Sequence, residues 1–330
     1  MMHTTRRGLM AATAGLAIAR PAAANETLRI GAMPVGSGWY VAAAAIQRVV
    51  APVLEGHTVE IIPRGGGVAN PMVVERGTAQ IALSNVQTAV LAANGDPLYN
   101  GQKAQNIRAL VGGLNPVFIG AMVRNEFLRQ NNFTTLDQIL DSGKPLRIVM
   151  KPQGSNVPPA VDTILAAHGL SRDKVRANGG SIIQVDVAQI PAILRDGRAD
   201  ILFDTVLRGH PMITELSLTA DISFLDLSER SLEALARVGL RRAMLPQWFT
   251  GQSGPTRSGD FGTVLIAHAS VADDVAYRVV KAIIENRDRL VSEYPAFNAF
   301  KPEDAWKPEN TGVPLHPGAA RYYRERGWMS

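Results

Sequence analysis

Three glycine clusters each stand between a short apolar run and a helix-like one. Gly36-Ser37-Gly38 follows residues 27–32 and precedes an apolar stretch over 39–54. Gly65-Gly66-Gly67 follows 58–63 and precedes a helix expected over about 69–76. Gly154-Ser155-Asn156 follows 146–150 and precedes 159–168. A strand, a turn and a helix in repetition leave few folds open, because a crossover helix returns the chain to a parallel strand. The expected class is α/β, with parallel strands covered by helices. Further strands are expected at 80–83, 107–112, 117–123, 182–185, 199–203, 223–227 and 262–267, with a long helix over 273–293 and a last one over 319–326. Residues 251–260 form the richest loop. At roughly 150 residues per domain, the 330 residues suggest two lobes, each with its own core.

The chain has no cysteine, which excludes thiolate metal sites, disulfides and cysteine nucleophiles. Hydrophobic residues make up 46% and charged residues 19%, an ordinary globular balance that excludes general disorder. The net charge of +5 includes Arg6, Arg7 and Arg20, and residues 1–24 hold no acid, so their removal leaves +2. The other charges are interspersed, without a basic block that would track phosphates, so no nucleic-acid partner is expected.

Residues 1–24 are expected to be an export signal that is removed. Arg6-Arg7 precede a mild apolar run from Gly8 to Ala19, and Ala22-Ala23-Ala24 offer the small residues that a signal peptidase needs. The run is too short for a spanning helix, which needs about 20 residues. Thr5-Arg6-Arg7-Gly8-Leu9-Met10 also resembles a twin-arginine signal. The expected location is periplasmic.

In a parallel sheet, strand-to-helix turns lie at the carboxyl ends of the strands, where ligands bind. Glycine lets the backbone approach closely, and N–H groups at a helix start donate to anions and so bind them. Each cluster by itself serves equally well as a plain tight turn. No phosphate-binding loop or dinucleotide fingerprint is present, so no nucleotide and no other cofactor is expected. The histidines, His3, His57, His168, His210, His268 and His316, form no local metal pattern and are expected to be surface or satisfied core residues. No nucleophile elbow is present either. Asp200 and Asp204 leave a paired-carboxylate site open. Trp39 and Tyr40 could line a cleft or fill a core. Arg64 or Arg208 could pair with a ligand carboxylate.

Several ordered stretches together resemble the TAXI family, the TRAP-associated extracytoplasmic solute receptors. They are Gly36-Ser37-Gly38-Trp39-Tyr40, Arg64-Gly65-Gly66-Gly67-Val68-Ala69-Asn70, residues 80–89 and Asp196-Gly197-Arg198-Ala199-Asp200 with His210-Pro211. Most specific is the tail, His316-Pro317-Gly318-Ala319-Ala320-Arg321-Tyr322-Tyr323-Arg324-Glu325-Arg326-Gly327. Three positions depart from the family pattern. Gly67 stands where a serine is common, Gln87 replaces an acid, and Asn156-Val157-Pro158-Pro159 replace a Gly-Ser-Gly-Thr-like turn.

The resemblance implies a two-lobed type II periplasmic binding protein with its ligand cleft between the lobes. One lobe would comprise 25–115 with 240–330, the other 116–239. Such a receptor captures a small organic acid, either a dicarboxylate, a keto acid or a glutamate-like molecule. It delivers the acid to an ion-gradient-driven TRAP permease and is not an enzyme. A monomer without cofactor or metal is expected. Gly66, Gly67 and Asn70 from one lobe, and Ser155 and Asn156 from the other, are expected to grip the carboxylate. Gly38, Trp39 and Tyr40 would supply a wall, Asn85 and Gln87 amide contacts, and Arg208 the cation. Loss of the acid at Gln87 leans toward a ligand without an ammonium group. The tail is expected to be structural, with at least one of Tyr322 and Tyr323 packed on the first lobe. The rivals are an enzyme on the same fold and a ligand-sensing subunit for a membrane kinase. A permease gene next to this one would favour transport, a kinase gene sensing.

Overall fold

A computed structural model describes residues 26–330, so the expected export signal lies outside the described residues. In chain order the strands are β1 (Glu26–Gly31), β2 (His57–Ile62), β3 (Ile81–Ser84), β4 (Ile107–Val111), β5 (Phe118–Arg124), β6 (Arg147–Met150), β7 (Ser181–Gln184), β8 (Ile201–Val206), β9 (Ile222–Leu225), β10 (Arg241–Leu245), β11 (Thr256–Asp260) and β12 (Val264–His268). They form two sheets. The first has the order β2-β1-β3-β12-β4, with β1 parallel to β2 and β3 and with β12 antiparallel to β3 and β4. The second has the order β10-β11-β5-β8-β6-β7, with β9 also paired to β5. Within it β6 runs parallel to β7 and β8, while β5 is antiparallel to β8.

The chain passes between the sheets twice, once between β4 and β5 and once between β11 and β12. The second crossing corrects the expected return at residue 240. Strands β10 and β11 pair along their whole length, and Asp260 of β11 meets Phe118 of β5, so 241–260 belong to the second sheet. Part of the loop expected over 251–260 is therefore a strand. The long helix expected over 273–293 is two, Asp273–Glu285 and Arg287–Glu293, broken at Asn286.

Local chemistry accounts for the elements around the crossings. Helix Gly38–Val50 starts where the Ser37 hydroxyl accepts the Tyr40 N–H at 3.2 Å. It buries Trp39, Ala42, Ala43, Ile46, Val49 and Val50, an apolar stripe at helical spacing that faces the first core. Strand β3 is buried along all four residues, as a strand covered on both faces must be. Among the described residues no helix is long and apolar enough to cross a membrane.

The tail completes the first lobe. The His316 ring caps helix Pro317–Glu325, its Nδ1 accepting the Gly318 N–H at 3.2 Å. That helix packs on helix Asp273–Glu285. Both tyrosines are buried, Tyr322 and Tyr323 alike, and the Tyr323 hydroxyl donates to the Leu110 carbonyl of β4 at 2.8 Å. Burial holds the Tyr323 phenol well above its ordinary pKa, so it stays a donor at every physiological pH.

This docking generates a testable expectation. Tyr323→Phe should cost about 1–2 kcal/mol, because it leaves the Leu110 carbonyl without its donor. Tyr323→Ala should cost about 3–5 kcal/mol through the cavity it opens. Urea unfolding of the two variants measures both. Equal stability of both variants and the parent would show that the tail does not brace the first lobe.

Candidate functional site

A narrow cleft of about 10 Å³ lies between the two lobes. Met33, Ser37, Gly38, Trp39 and Asn85 line it from the first lobe, and Lys151, Ser155, Asn156, Thr205, Leu207 and His210 from the second. These residues follow β1, β3, β6 and β8, at or beyond the carboxyl ends of the strands. Four helices start at the lining: Gly38–Val50, Val86–Asn94, Val157–Ala167 and Pro211–Thr219. Ser37, Asn85, Asn156 and His210 occupy the residue before each of them. The partial positive charge of four helix starts is therefore gathered around one space.

Lys151 is the cation of the cleft. It is 1% exposed, and its Nζ lies 2.5 Å from Asp204 Oδ1, itself on a residue with no exposure. The ammonium also donates to Thr205 Oγ1 at 2.9 Å, and Asp204 Oδ1 accepts the Thr205 N–H at 2.6 Å. Strand register sets this pair. Met150 stands opposite Phe203 in the parallel β6–β8 ladder, so the next residues along, 151 and 204, emerge side by side. Asp204 Oδ2 has no partner among the described residues. Burial pushes the Asp204 carboxyl above the ordinary range, opposed by the attraction of Lys151. Asp200, four residues back, is tied to Arg147 at 2.7 Å and to Arg124, which removes the paired-carboxylate possibility.

His210 is 1% exposed, and its Nδ1 accepts the Ile213 N–H at 3.4 Å. Burial first, and the charge of Lys151 second, push its pKa well below 6.5. The ring is therefore neutral, with its proton assigned to Nε2, which has no partner among the described residues. A cleft histidine was not expected from a sequence without any local metal or triad pattern. Among the described residues no cluster of three or more metal-ligating side chains occurs.

The two lobes meet through backbone at the edge of the cleft. The Gly154 carbonyl accepts the N–H groups of both Val68 and Ala69 at 3.1 Å. A Cβ on Gly66, whose φ is +151°, would stand 2.5 Å from that carbonyl oxygen. A Cβ on Gly67 would overlap the side chains of Asn156 and Asn85. Asn156 donates to Asn85 Oδ1 across the seam, and Asn85 donates to the Gly262 carbonyl at 2.6 Å. The triple glycine therefore approaches the opposite lobe, not an enclosed ligand. The departures at Gly67 and Asn156 belong together, because the amide fills the space that a serine at 67 would occupy.

The expected site residues divide as follows. Gly38, Trp39, Asn85, Ser155 and Asn156 come together around the cleft. Gly66 and Gly67 sit on the seam beside it. Asn70 does not face a ligand. It is fully buried, donates to the Ala32 and Leu83 carbonyls at 3.0 and 2.7 Å, and accepts the Gly66 N–H at 3.1 Å. Those bonds brace the glycine turn from behind. Tyr40 is half-buried and outside the lining. Gln87 donates to the Val238 carbonyl at 2.5 Å, in a separate crevice with Leu91 and Phe261. Arg208 is exposed and outside the lining. Lys151 holds the place expected for it. The signal that could have found Lys151 is a lysine directly after the buried run 148–150, three residues before a glycine turn.

A model of the NMT1-like family matches residues 30–327. This chain belongs to the NMT1-like family. A solved protein from Bordetella bronchiseptica RB50 is 19% identical, the match covering 92% of this chain and 89% of that one, with a TM-score of 0.51. A periplasmic transporter of known structure is 12% identical over 94% of this chain and 96% of its own, with a TM-score of 0.54. The fold of this NMT1-like protein is the two-lobed α/β fold of periplasmic binding proteins.

The buried ion pair makes its own prediction. Lys151→Met should destabilise the protein by about 3–5 kcal/mol, because it strands the Asp204 carboxylate. Adding Asp204→Leu should recover most of that loss. Denaturant unfolding of the single and double variants measures the coupling. A double variant no more stable than the single would contradict the pairing.

Proposed function

We propose that this chain is an extracytoplasmic receptor that captures a small organic acid between its lobes and carries out no chemistry of its own. The observation that carries the reading is Lys151, a buried ammonium lining a cleft at which four helices begin. An anion entering there meets a cation, helix-start N–H groups and the hydroxyls of Ser37, Ser155 and Thr205 in a space screened from water. Membership of the NMT1-like family and a fold shared with a periplasmic transporter support a receptor over an enzyme. The Arg6-Arg7 stretch with Ala22-Ala23-Ala24 supports export to the periplasm.

The resemblance of the 316–327 tail and the glycine turns to the TAXI family supports a finer reading, in which a TRAP-type permease takes the acid from the receptor. The binding set under this reading is Ser37, Gly38, Trp39, Asn85, Lys151, Ser155, Asn156, Thr205 and His210. The lobes are 26–112 with 264–330, and 118–260, joined by the two crossings. The ligand adds contacts to both lobes at once and so favours the arrangement in which they touch.

Thermal-shift measurement of the purified protein against short organic acids tests this. An acid present at about 100 times its Kd should stabilise the fold by about 2.7 kcal/mol. Gly66→Val, which blocks contact with Gly154, should weaken that acid about tenfold or more while the lobes still fold. Absence of any acid-dependent shift, or unchanged affinity in Gly66→Val, would overturn the reading.

A further inference from the structure

We propose that Asp260 pins the hinge between the lobes. It ties the two chain crossings to each other and, through Gly262 and Asn85, holds the lobes in the arrangement that forms the cleft. Asp260 lies outside the lining of the cleft and is a positioning residue. The inference rests on the two-lobed fold and not on the identity of a ligand, so its failure would leave the receptor reading standing.

The crossings run side by side. One passes from β4 to β5 over residues 112–117, the other from β11 to β12 over 261–263. The Phe261 N–H donates to the Val117 carbonyl at 2.9 Å, and the Leu114 N–H to the Thr263 carbonyl at 3.2 Å. Asp260, the last residue of β11, is buried where the two crossings meet. Its Oδ1 accepts the Val117 N–H of one crossing and the Gly262 N–H of the other, both at 2.8 Å. Its Oδ2 takes the Arg241 guanidinium at 2.8 Å, which fixes the carboxylate from the second lobe. A single oxygen thereby joins both crossings, and hydrogen bonds to a carboxylate are stronger than those between neutral groups.

Gly262 carries this hold into the cleft. Its φ is +64°, a conformation that favours glycine. A Cβ there would stand 2.9 Å from Arg241 Nη2 and 3.1 Å from Val86 Cγ2. Its N–H is held by Asp260, and its carbonyl accepts the Asn85 amide at 2.6 Å. The two peptides on either side of its φ and ψ are therefore both anchored. A hinge turns by changing such angles at a few residues, so anchoring them restrains the turn. Asn85 in its turn accepts the Asn156 amide across the seam. A continuous run of hydrogen bonds thus leads from Asp260 through Gly262 and Asn85 to the opposite lobe. Without Asp260 the crossings lose their common tether, and the lobes sample wider arrangements.

Because the chain has no cysteine, Lys174→Cys in the second lobe and Lys281→Cys in the first, both at exposed positions, can carry spin labels without competing sites. Pulsed electron paramagnetic resonance of the purified protein then reads the spread of distances between the lobes. Asp260→Ala removes both tethers, and the population at longer distances should rise about tenfold, the worth of one or two hydrogen bonds. Asp260→Asn keeps an acceptor oxygen for Val117 and Gly262 and should stay close to the parent. A merely structural aspartate would lower the melting temperature without moving this distribution. A folded Asp260→Ala protein with the parent's distribution would therefore overturn the inference, and so would an Asp260→Asn distribution as wide as that of Asp260→Ala. Should Asp260→Ala fail to fold, Arg241→Met decides, since Arg241 is exposed and its loss frees Oδ2. A wider distribution in that variant supports the pin, and an unchanged one overturns it.

Discussion

The Gly154 carbonyl receives two N–H groups from the other lobe, and the site depends on that contact. Backbone can approach backbone so closely only where side chains are missing, which accounts for glycine at 66 and 67, while Gly154 is required by its φ of +96°. Asn70 fixes the donating turn from behind with three hydrogen bonds. Asn156 and Asn85 extend the seam with amide contacts. Bonds between neutral groups of this kind hold the lobes together without locking them, since each is worth only about 1 kcal/mol net. Whatever occupies the space behind the seam can therefore decide how firmly the lobes stay in contact.

That space is electrostatically unusual for its size. One lysine and one aspartate cancel each other in charge, and the histidine is held neutral by burial and by the lysine. What remains unbalanced among the described residues is the N–H character of four helix starts, the Trp39 indole and the His210 imidazole, together with one acceptor, Asp204 Oδ2. A buried donor without an acceptor costs stability, so the protein carries this cost at its centre while nearby polar groups such as Asn70 and Tyr323 are fully engaged. The contrast between satisfied structural groups and unsatisfied cleft groups distinguishes the site from the core around it.

Much of this was legible in the chain. The strand–glycine–helix units announce parallel strands, and Ser37 stands before its helix by ordinary capping logic, whereas Asn85 and Asn156 precede theirs without capping them. Strands β10 and β11 were not legible. Arg241, Arg242 and Met244 are exposed, and the polar Thr256–Asp260 run reads as loop, so pairing with β5 and not local pattern makes these residues strands. The break at Asn286 was hidden inside a continuous apolar periodicity. Lys151 escaped notice because its neighbour Asp204 lies 53 residues away in sequence and is brought alongside by the β6–β8 register. Gln87 stands in the 80–89 motif and Arg208 a few residues after the 199–203 strand, but one turns toward Val238 and the other toward solvent.

The central claim is that a small acid is held by Lys151 between the lobes. A crystal structure of the protein with a bound organic acid tests it most directly. The account predicts an acid oxygen within hydrogen-bond reach of Lys151 Nζ, about 2.7–3.2 Å away, with the Val68 and Ala69 N–H groups still on the Gly154 carbonyl. An acid seated in the crevice beside Gln87 and Val238, with the Lys151 cleft holding only water, would contradict it.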